Sequence, residues 1–166
     1  MGLRNRLEAA YGDIDALLKR RADLIPNLVA AVRGYASHEE RVFTEVTEAR
    51  AGAEAAAEGP PSPRARSDAE NRLTRRVHRL IALAEDYPEL RASANFLELQ
   101  SELTRTENDI AHARRYYNAV VRDYETERQR FPAVLVAGML GFGEREFFEL
   151  RDLAEREAPD VGAGRE

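Results

Sequence analysis

Asp109 and His112 are the two side chains whose types and spacing come nearest to a metal site. On a helix, residues three apart lie on one face, so a carboxylate and an imidazole at this spacing could hold a divalent metal. Diiron helix bundles use two such pairs together with further glutamates, whereas this sequence supplies one pair. We therefore interpret both residues as part of a solvated helical face, and keep a metal-dependent bundle enzyme as a remote alternative.

Other catalytic chemistry finds no support in the sequence. Ser37 and His38 are adjacent, and adjacent residues on a helix diverge by about 100°, so they cannot pair directly as nucleophile and base. No glycine-rich phosphate loop follows a strand, because no strand is evident. The chain has no cysteine, which excludes a thiol nucleophile. We predict no catalytic residue, no metal and no cofactor, and expect that the chain is not an enzyme.

Three basic clusters could bind phosphate or anionic lipid. They are Lys19-Arg20-Arg21, Arg75-Arg76 and Arg114-Arg115. The first is the strongest, so Lys19, Arg20 and Arg21 are candidate interaction residues. The alternative is that these side chains are solvated or pair with carboxylates inside a bundle. With 25 basic and 30 acidic residues the net charge is −5, which argues against a nucleic-acid-binding protein.

A long helix must position these residues, and its apolar side chains recur every seven residues. The six members of this stripe are Phe96, Leu103, Ile110, Tyr117, Tyr124 and Phe131. A seven-residue interval keeps side chains on one stripe of a slightly underwound helix, which has to pack against other helices. Such a helix would be roughly 55 Å long, more than a compact globule of this size accommodates. The sequence predicts an all-α fold, an elongated antiparallel four-helix up-and-down bundle.

The four helices are predicted over about 3–22, 24–57, 67–86 and 94–131. Asp23 is expected to cap the second helix, with Pro26 in its first turn, where a backbone N–H has no intrahelical partner. The alternative is one helix that bends at Pro26. The second helix is expected to continue through Gly34, although Ser37 and Glu40 resemble a capping box that would restart it.

The third helix is expected to open at a clearer capping box, formed by Ser67 and Glu70. Pro88 disfavours helical geometry at the residue before it and should end this helix near residue 86. The bundle domain is thus predicted over 3–131. Residues 132–157 are expected to form a short apolar or amphipathic extension of the same domain, with a last helical turn or two near 147–153, and 158–166 a frayed tail.

The apolar part of this extension, 134–142, is a candidate surface for self-association, through Leu135, Leu140 and Phe142. It is too short to cross a bilayer. No run of eighteen or more apolar residues occurs elsewhere, and the first residues lack the apolar region of a signal peptide. The sequence itself therefore carries no membrane-spanning segment.

Many short motifs of this chain resemble the bacterial LemA family, in order and in spacing. In the first half they are Arg4-Asn5-Arg6, Asp13-Ile14-Asp15, Lys19-Arg20-Arg21, Asp23-Leu24-Ile25-Pro26-Asn27-Leu28-Val29 and Gly34-Tyr35-Ala36. In the second half they are Glu70-Asn71-Arg72-Leu73, Tyr87-Pro88-Glu89-Leu90, Asn95-Phe96, Glu107-Asn108, Arg114-Arg115-Tyr116-Tyr117-Asn118 and Phe131-Pro132. Each motif is weak alone, but their concurrence over about 3–148 is specific.

The resemblance implies a four-helix bundle, usually attached to the membrane by one N-terminal helix, with no established activity. The expected function is a membrane-associated interaction or scaffolding domain with an unknown protein partner, shown here without its anchor. Arg4, Arg6 and the cluster at 19–21 would place an anchored form on the cytoplasmic face, whereas the chain as given would be soluble. The alternative function is a self-assembling structural protein, and a homo-oligomer is possible.

Overall fold

The computed structural model describes residues 2–60, 62–130 and 143–149 of the chain. Every regular element in these ranges is helical, and they contain no strand. The elements are α1 (Leu3–Arg33), α2 (Glu40–Glu58), α3 (Pro63–Leu83), one 3₁₀ turn (Ala84–Asp86), α4 (Pro88–Arg91) and α5 (Ala94–Gln129). The predicted all-α class is confirmed.

The first helix runs through Pro26, so the predicted turn at residues 22–24 is wrong, and the continuity of the alternative, one helix that bends at Pro26, is confirmed. Proline has no N–H, which leaves the carbonyl of Ala22, four residues earlier, without its helical donor. A side chain from another helix replaces this donor, because Arg50 Nε of α2 donates to the Ala22 carbonyl oxygen at 2.9 Å. A tertiary contact therefore stabilises the helix where local rules predict a break.

The chain reverses after Arg33, so the prediction of one helix over 24–57 is also wrong. Ala36 is buried in this reversal, and its N–H donates to the Val32 carbonyl oxygen at 2.9 Å. Across the reversal the Arg33 guanidinium lies 4.8 Å from the centroid of the Phe43 ring. Helix α2 begins at Glu40 without a side-chain cap, so a restart occurs here but not through a capping box at Ser37.

Helix α3 begins four residues earlier than predicted. Ser62 caps it, because its hydroxyl accepts a hydrogen bond from the Ala65 N–H at 3.2 Å, and Pro63 occupies the first turn. Ser67 and Glu70, the expected capping box, lie inside the helix and are buried. Helix α5 begins at Ala94, as predicted, with the Ser93 hydroxyl accepting from the Phe96 N–H at 3.4 Å.

Contacts between helices give their relative directions. Along α1 towards its C-terminus, contacts with α2 and with α5 move towards the N-termini of those helices, so both run antiparallel to α1. The pairs are Ala22 with Arg50 and Arg33 with Glu40 for α2, and Tyr11 with Tyr117 and Arg21 with Glu107 for α5. Contacts with α3 advance towards the C-termini of both helices, so α3 runs parallel to α1. The pairs are Asp15 with Arg66 and Arg21 with Thr74.

The buried apolar side chains form two clusters along α1 and α5. One cluster lies at the end where the chain reverses between α1 and α2, and we call it the hairpin-end core. It draws on all five helices and on this reversal. It contains Ile25, Leu28, Val32, Ala36, Val42, Phe43, Val46, Ala53, Leu73, Val77, Leu80, Ala84, Leu90, Phe96 and Leu103. The strap-end core draws on α1, α5 and the segment 143–149, which we call the strap. It contains Leu7, Ala10, Ile14, Leu18, Ile110, Tyr117, Val120, Val121, Tyr124 and Phe148.

Five residues of the predicted stripe are buried and divide between these clusters. The sixth, Phe131, lies outside the described residues. Of the predicted extension, only the strap is described. The strap has no regular secondary structure, and residues 150–153 of the predicted last helical turn lie outside the described residues. The Asn118 side chain of α5 bonds both the N–H and the carbonyl oxygen of Phe148 in the strap.

Candidate functional site

A buried ionic network separates the two cores, and Arg21 is its centre. Its side chain is 2% exposed, as is that of Glu70, whose Oε2 lies 2.5 Å from Arg21 Nη2. Arg21 Nη1 donates to Glu107 Oε1 at 2.9 Å and to Thr74 Oγ1 at 2.8 Å. Arg21 therefore joins α1 to both α3 and α5.

Arg66 extends this network towards the strap end. Its Nη2 lies 3.0 Å from Asp15 Oδ1, and its Nε lies 3.1 Å from Glu70 Oε1 in an ion pair outside hydrogen-bond geometry. Burial alone would lower the pKa of Arg21, but the negative charges of Glu107 and Glu70 outweigh it and raise that pKa. The guanidinium is thus permanently charged and balanced by carboxylates, as a structural ion network requires.

The candidate interaction cluster at 19–21 is divided by the fold. Lys19 and Arg20 are exposed, and Arg20 Nη2 lies 3.4 Å from Glu102 Oε1. Arg21 points into the core, because consecutive helical residues face different directions. Arg21 as a surface interaction residue is therefore wrong. The other candidates, Leu135, Leu140 and Phe142, lie outside the described residues.

The pair considered for metal binding lies on the surface of α5. His112 is exposed, and its Nδ1 is 2.9 Å from Arg115 Nη2, while Asp109 is half-buried. The described ranges contain no group of three or more histidine, cysteine, aspartate or glutamate side chains arranged to hold a metal ion.

The strap is attached to α5 through its backbone. Asn118 acts twice, because its Nδ2 donates to the Phe148 carbonyl oxygen at 3.2 Å and its Oδ1 accepts from the Phe148 N–H at 3.0 Å. The hydroxyls of Tyr117 and Tyr124 donate to the carbonyl oxygens of Glu146 and Gly143, each at 3.1 Å. The strap thus receives the partners that a neighbouring strand would provide in a sheet.

Two further backbone contacts complete the attachment. The Arg145 N–H donates to Glu125 Oε1 of α5 at 3.0 Å. On the other side, Asn71 Nδ2 of α3 donates to the Glu149 carbonyl oxygen at 3.2 Å. A polar cleft of 1160 Å³ lies between α3, α5 and the strap, and both of these contacts are at its wall. The strap therefore forms one wall of the cleft between α3 and the C-terminal half of α5.

Phe148 is the one strap side chain in the core. It is fully buried, with its ring centroid 6.3 Å from that of Tyr11 and 6.5 Å from that of Tyr117, both in edge-to-face arrangements. The Tyr11 and Tyr117 centroids are 5.8 Å apart. Burial raises the pKa of both tyrosines, so their phenols are neutral at ordinary pH. Neighbouring Phe147, by contrast, is 43% exposed.

An arginine-rich face lies on α3 and the adjoining part of α2. Glu45 Oε1 lies 3.0 Å from Arg41 Nε, and its Oε2 lies 2.8 Å from Arg76 Nη1 and 3.1 Å from Arg79 Nη1. The hydrogen bond from Arg41 lowers the pKa of Glu45, and the charges of Arg76 and Arg79 lower it further. One carboxylate therefore faces three guanidinium groups. Arg72 and Arg75, which have no ion pair among the described residues, add to this face on α3.

The sequence reasoning missed several of the residues that organise these sites. Glu70 and Arg66 were hidden because a charged residue on a helix usually faces water. Their spacing of four residues, which suits an ion pair, was an available signal. Asn118 stood in a family motif, and its partner is the strap backbone, which no side-chain pattern reveals.

The chain matches a family pattern and is similar to curated proteins. Residues 10–162 match the LemA family pattern. Magnetosome protein MamQ 2 of Paramagnetospirillum magneticum is 24% identical over 164 residues, covering 86% of this chain and 60% of that protein. Magnetosome protein MamQ of Magnetospirillum gryphiswaldense is 22% identical over 163 residues, covering 85% and 60%.

The chain thus spans 60% of the length of these curated relatives. Among the helices that the structure describes, none combines the length and the apolar character that crossing a membrane requires. Because the family match extends over most of the sequence and the described fold is entirely helical, the chain belongs to the LemA family.

Proposed function

We propose that this chain is a membrane-associated interaction module with no catalytic activity of its own. Membrane association is what the family resemblance implies, and the relatives named as magnetosome proteins agree with it. The observation that carries the proposal is the arginine-rich face of α2 and α3, because it is a surface feature that a bundle does not need for folding.

Charge is distributed unevenly over this protein. The whole chain has a net charge of −5, yet Arg41, Arg76 and Arg79 share one carboxylate, and Arg72 and Arg75 stand nearby on α3. A basic face on an acidic protein is attracted to anionic lipid headgroups, at about 1 kcal/mol for each basic residue near the membrane surface. This face is therefore suited to hold the bundle against an anionic bilayer.

The buried polar residues favour an interaction role over catalysis. Arg21, Arg66 and Glu70 bond to one another and to neighbouring helices, so their charges are used in joining α1, α3 and α5. Catalytic carboxylates and bases need access to a substrate and a perturbed pKa at the reacting atom. The polar groups of this network instead face each other.

Fractionation of native cells tests membrane association directly. We expect the protein in the membrane fraction at physiological salt, and a wash at high salt distinguishes a purely electrostatic attachment from an inserted one. Recovery of the protein only in the soluble fraction, at low and at physiological salt, would contradict the proposal.

Vesicle binding tests the arginine-rich face. We expect binding to vesicles containing phosphatidylglycerol and none to pure phosphatidylcholine. Replacing Arg72 and Arg75 with glutamine should weaken binding to the anionic vesicles by about 2 kcal/mol, roughly 30-fold. The matched control replaces Arg105 and Arg115 of α5, which are exposed and carry the same charge. Equal weakening by both double variants would show that only net charge matters and would remove this face from the proposal.

A further inference from the structure

The groups that hold the strap bond mainly to its backbone, and they contact only one of its side chains. Asn118, Tyr117, Tyr124 and Glu125 all bond to main-chain N–H or carbonyl groups of residues 143–148. Only the Phe148 side chain enters the core, while Glu144, Glu146, Phe147 and Glu149 are exposed. The surface beneath the strap therefore contacts mainly the backbone of this segment, with the Phe148 side chain as its one buried anchor.

We propose that this surface, which we call the strap groove, is a peptide-binding site whose occupant in an assembly is the strap of a second copy. Its residues are Tyr11 of α1 and Tyr117, Asn118, Tyr124 and Glu125 of α5. The inference goes beyond membrane association and does not depend on it, because exchange of the strap between copies needs no membrane.

A second copy is the occupant that the contacts favour. Its residues 143–149 have the same sequence, so they make every backbone bond and every aromatic contact that the strap makes within one chain. The exchange needs no change within helices α1 to α5, and the strap follows α5 in the sequence after the connecting segment 130–142. Exchange of an identical element in this way is a low-cost route to association between copies.

A groove without an occupant would be unfavourable. Loss of the strap exposes the faces of Tyr11 and Tyr117 that pack on Phe148, and it removes both backbone partners of the Asn118 side chain. Binding of another strap would therefore stabilise a groove that its own strap has left. A segment tethered within its own chain competes at a high effective concentration, so we expect exchange where copies are concentrated side by side.

Two complementary variants test the exchange. Phe148→Ala removes the anchor but keeps the groove, whereas Asn118→Asp keeps the strap and places a carboxylate oxygen against the Phe148 carbonyl oxygen in the groove. Each variant alone should remain monomeric in light scattering, while an equimolar mixture should form a heterodimer, since one copy supplies the groove and the other the strap. Phe147→Ala, a neighbouring exposed residue, replaces Phe148→Ala in the control mixture and should give no heterodimer.

A synthetic peptide of residues 143–149 provides the second measurement. It should bind the full Phe148→Ala chain at least roughly tenfold more tightly than the wild-type chain, whose groove is filled. The same peptide with alanine at position 148 should not bind, and one with alanine at position 147 should. If Phe148→Ala loses its helical circular dichroism, Phe148→Leu serves as the weakened strap instead.

Heterodimer formation and peptide binding together decide both parts of the proposal, the groove and its occupant. Heterodimer formation together with peptide binding supports exchange between copies. Peptide binding without a heterodimer, at any concentration reached, overturns the second copy as occupant and leaves a groove for another protein's segment. Absence of both, in variants that keep their helical content, overturns the peptide-binding site itself.

Discussion

The hairpin-end and strap-end cores share α1 and α5 but are completed differently. At the hairpin end, α2, α3 and α4 cover the long pair with apolar side chains. At the strap end, a segment without regular structure covers the pair, using one phenylalanine, tyrosine hydroxyls and side-chain bonds to its backbone. One end of the long helix pair is thus covered by other helices, whereas the other end is covered by a segment that is held mainly through its backbone.

The ionic network marks the boundary between these two ends. Arg21 contacts α3 and α5 at one level of α1, so it fixes the relative heights of three helices. Apolar contacts are non-directional and tolerate a shift along the helix axis, whereas a buried guanidinium tolerates only the position that provides its carboxylates. The network therefore determines how the two cores are aligned.

Removing the Arg21 charge from the ionic network should have the largest effect on stability. Arg21→Met leaves the Glu70 carboxylate buried without its closest partner, and we expect a loss of about 3–5 kcal/mol in the free energy of unfolding. Urea denaturation followed by circular dichroism measures this loss. Because the change lies between the cores, both ends should unfold more readily.

A double variant and a surface control sharpen this test. Arg21→Met combined with Glu70→Leu removes both charges of the closest pair, and it should recover part of the loss. Arg20→Ala breaks only the exposed pair with Glu102 and should cost less than about 1 kcal/mol. An Arg21→Met variant as stable as Arg20→Ala would show that the network does not align the cores.

The second-largest effect should be confined to the strap end. Phe148→Ala removes a fully buried ring, but the strap can undock instead of leaving a cavity, so the cost should be smaller than the roughly 3–5 kcal/mol typical of Phe→Ala in a core. Hydrogen exchange should accelerate at the amides of Arg145 and Phe148 and stay unchanged in the hairpin-end core. Equal acceleration at both ends would mean that the two cores unfold as one unit.

A third test acts on the hairpin end alone. Arg50→Leu removes the donor that bonds the Ala22 carbonyl opposite Pro26, and we expect a cost of about 1 kcal/mol. In a Pro26→Ala background the backbone N–H of residue 26 takes over this carbonyl, so the same Arg50→Leu change should cost less. A double-mutant cycle in urea measures the difference. An identical cost in both backgrounds would exclude Arg50 as the reason that α1 passes through Pro26.

Features of the fold that rest on a repeating side-chain pattern could be predicted from the sequence. Features that depend on a single tertiary contact could not. The seven-residue spacing from Phe96 to Tyr124 identified buried positions of α5 and the all-α class, because burial of one helix face leaves a periodic record. The continuity of α1 depends on Arg50, which is 28 residues away from Ala22 in the chain. Local rules for proline contain no information about that contact.

The candidate sites were less predictable for a related reason. Arg21 was grouped with Lys19 and Arg20 because they are adjacent, yet its environment is set by Glu70 and Glu107 on other helices. The strap was similarly hidden, since backbone groups carry most of its contacts and every residue has them. Phe148 was expected only in a last amphipathic turn after the bundle, and its contact with Tyr11 and Tyr117 was not predicted.

The smallest expected effect is a difference between the two cores at alkaline pH. Burial raises the pKa of Tyr11 and Tyr117 above the ordinary value of 10.0, so the folded protein retains phenolic protons that the unfolded chain releases. This contribution to stability is fully present below pH 10 and declines as the pH rises through the raised values. Both tyrosines contact Phe148, so the strap end should loosen first.

Amide hydrogen exchange is too fast to measure directly at alkaline pH. We therefore propose urea denaturation between about pH 8 and pH 11, a range that includes the ordinary pKa of tyrosine. The wild-type free energy of unfolding should fall across the upper part of this range, and Tyr117→Phe should fall less steeply, because it has no proton to lose at that position. Tyr35→Phe, at an exposed hairpin-end position, is the matched control and should follow the wild type. If Tyr117→Phe and Tyr35→Phe give the same slope, the strap-end tyrosines are not the groups that lose stability, and the two ends respond alike to pH.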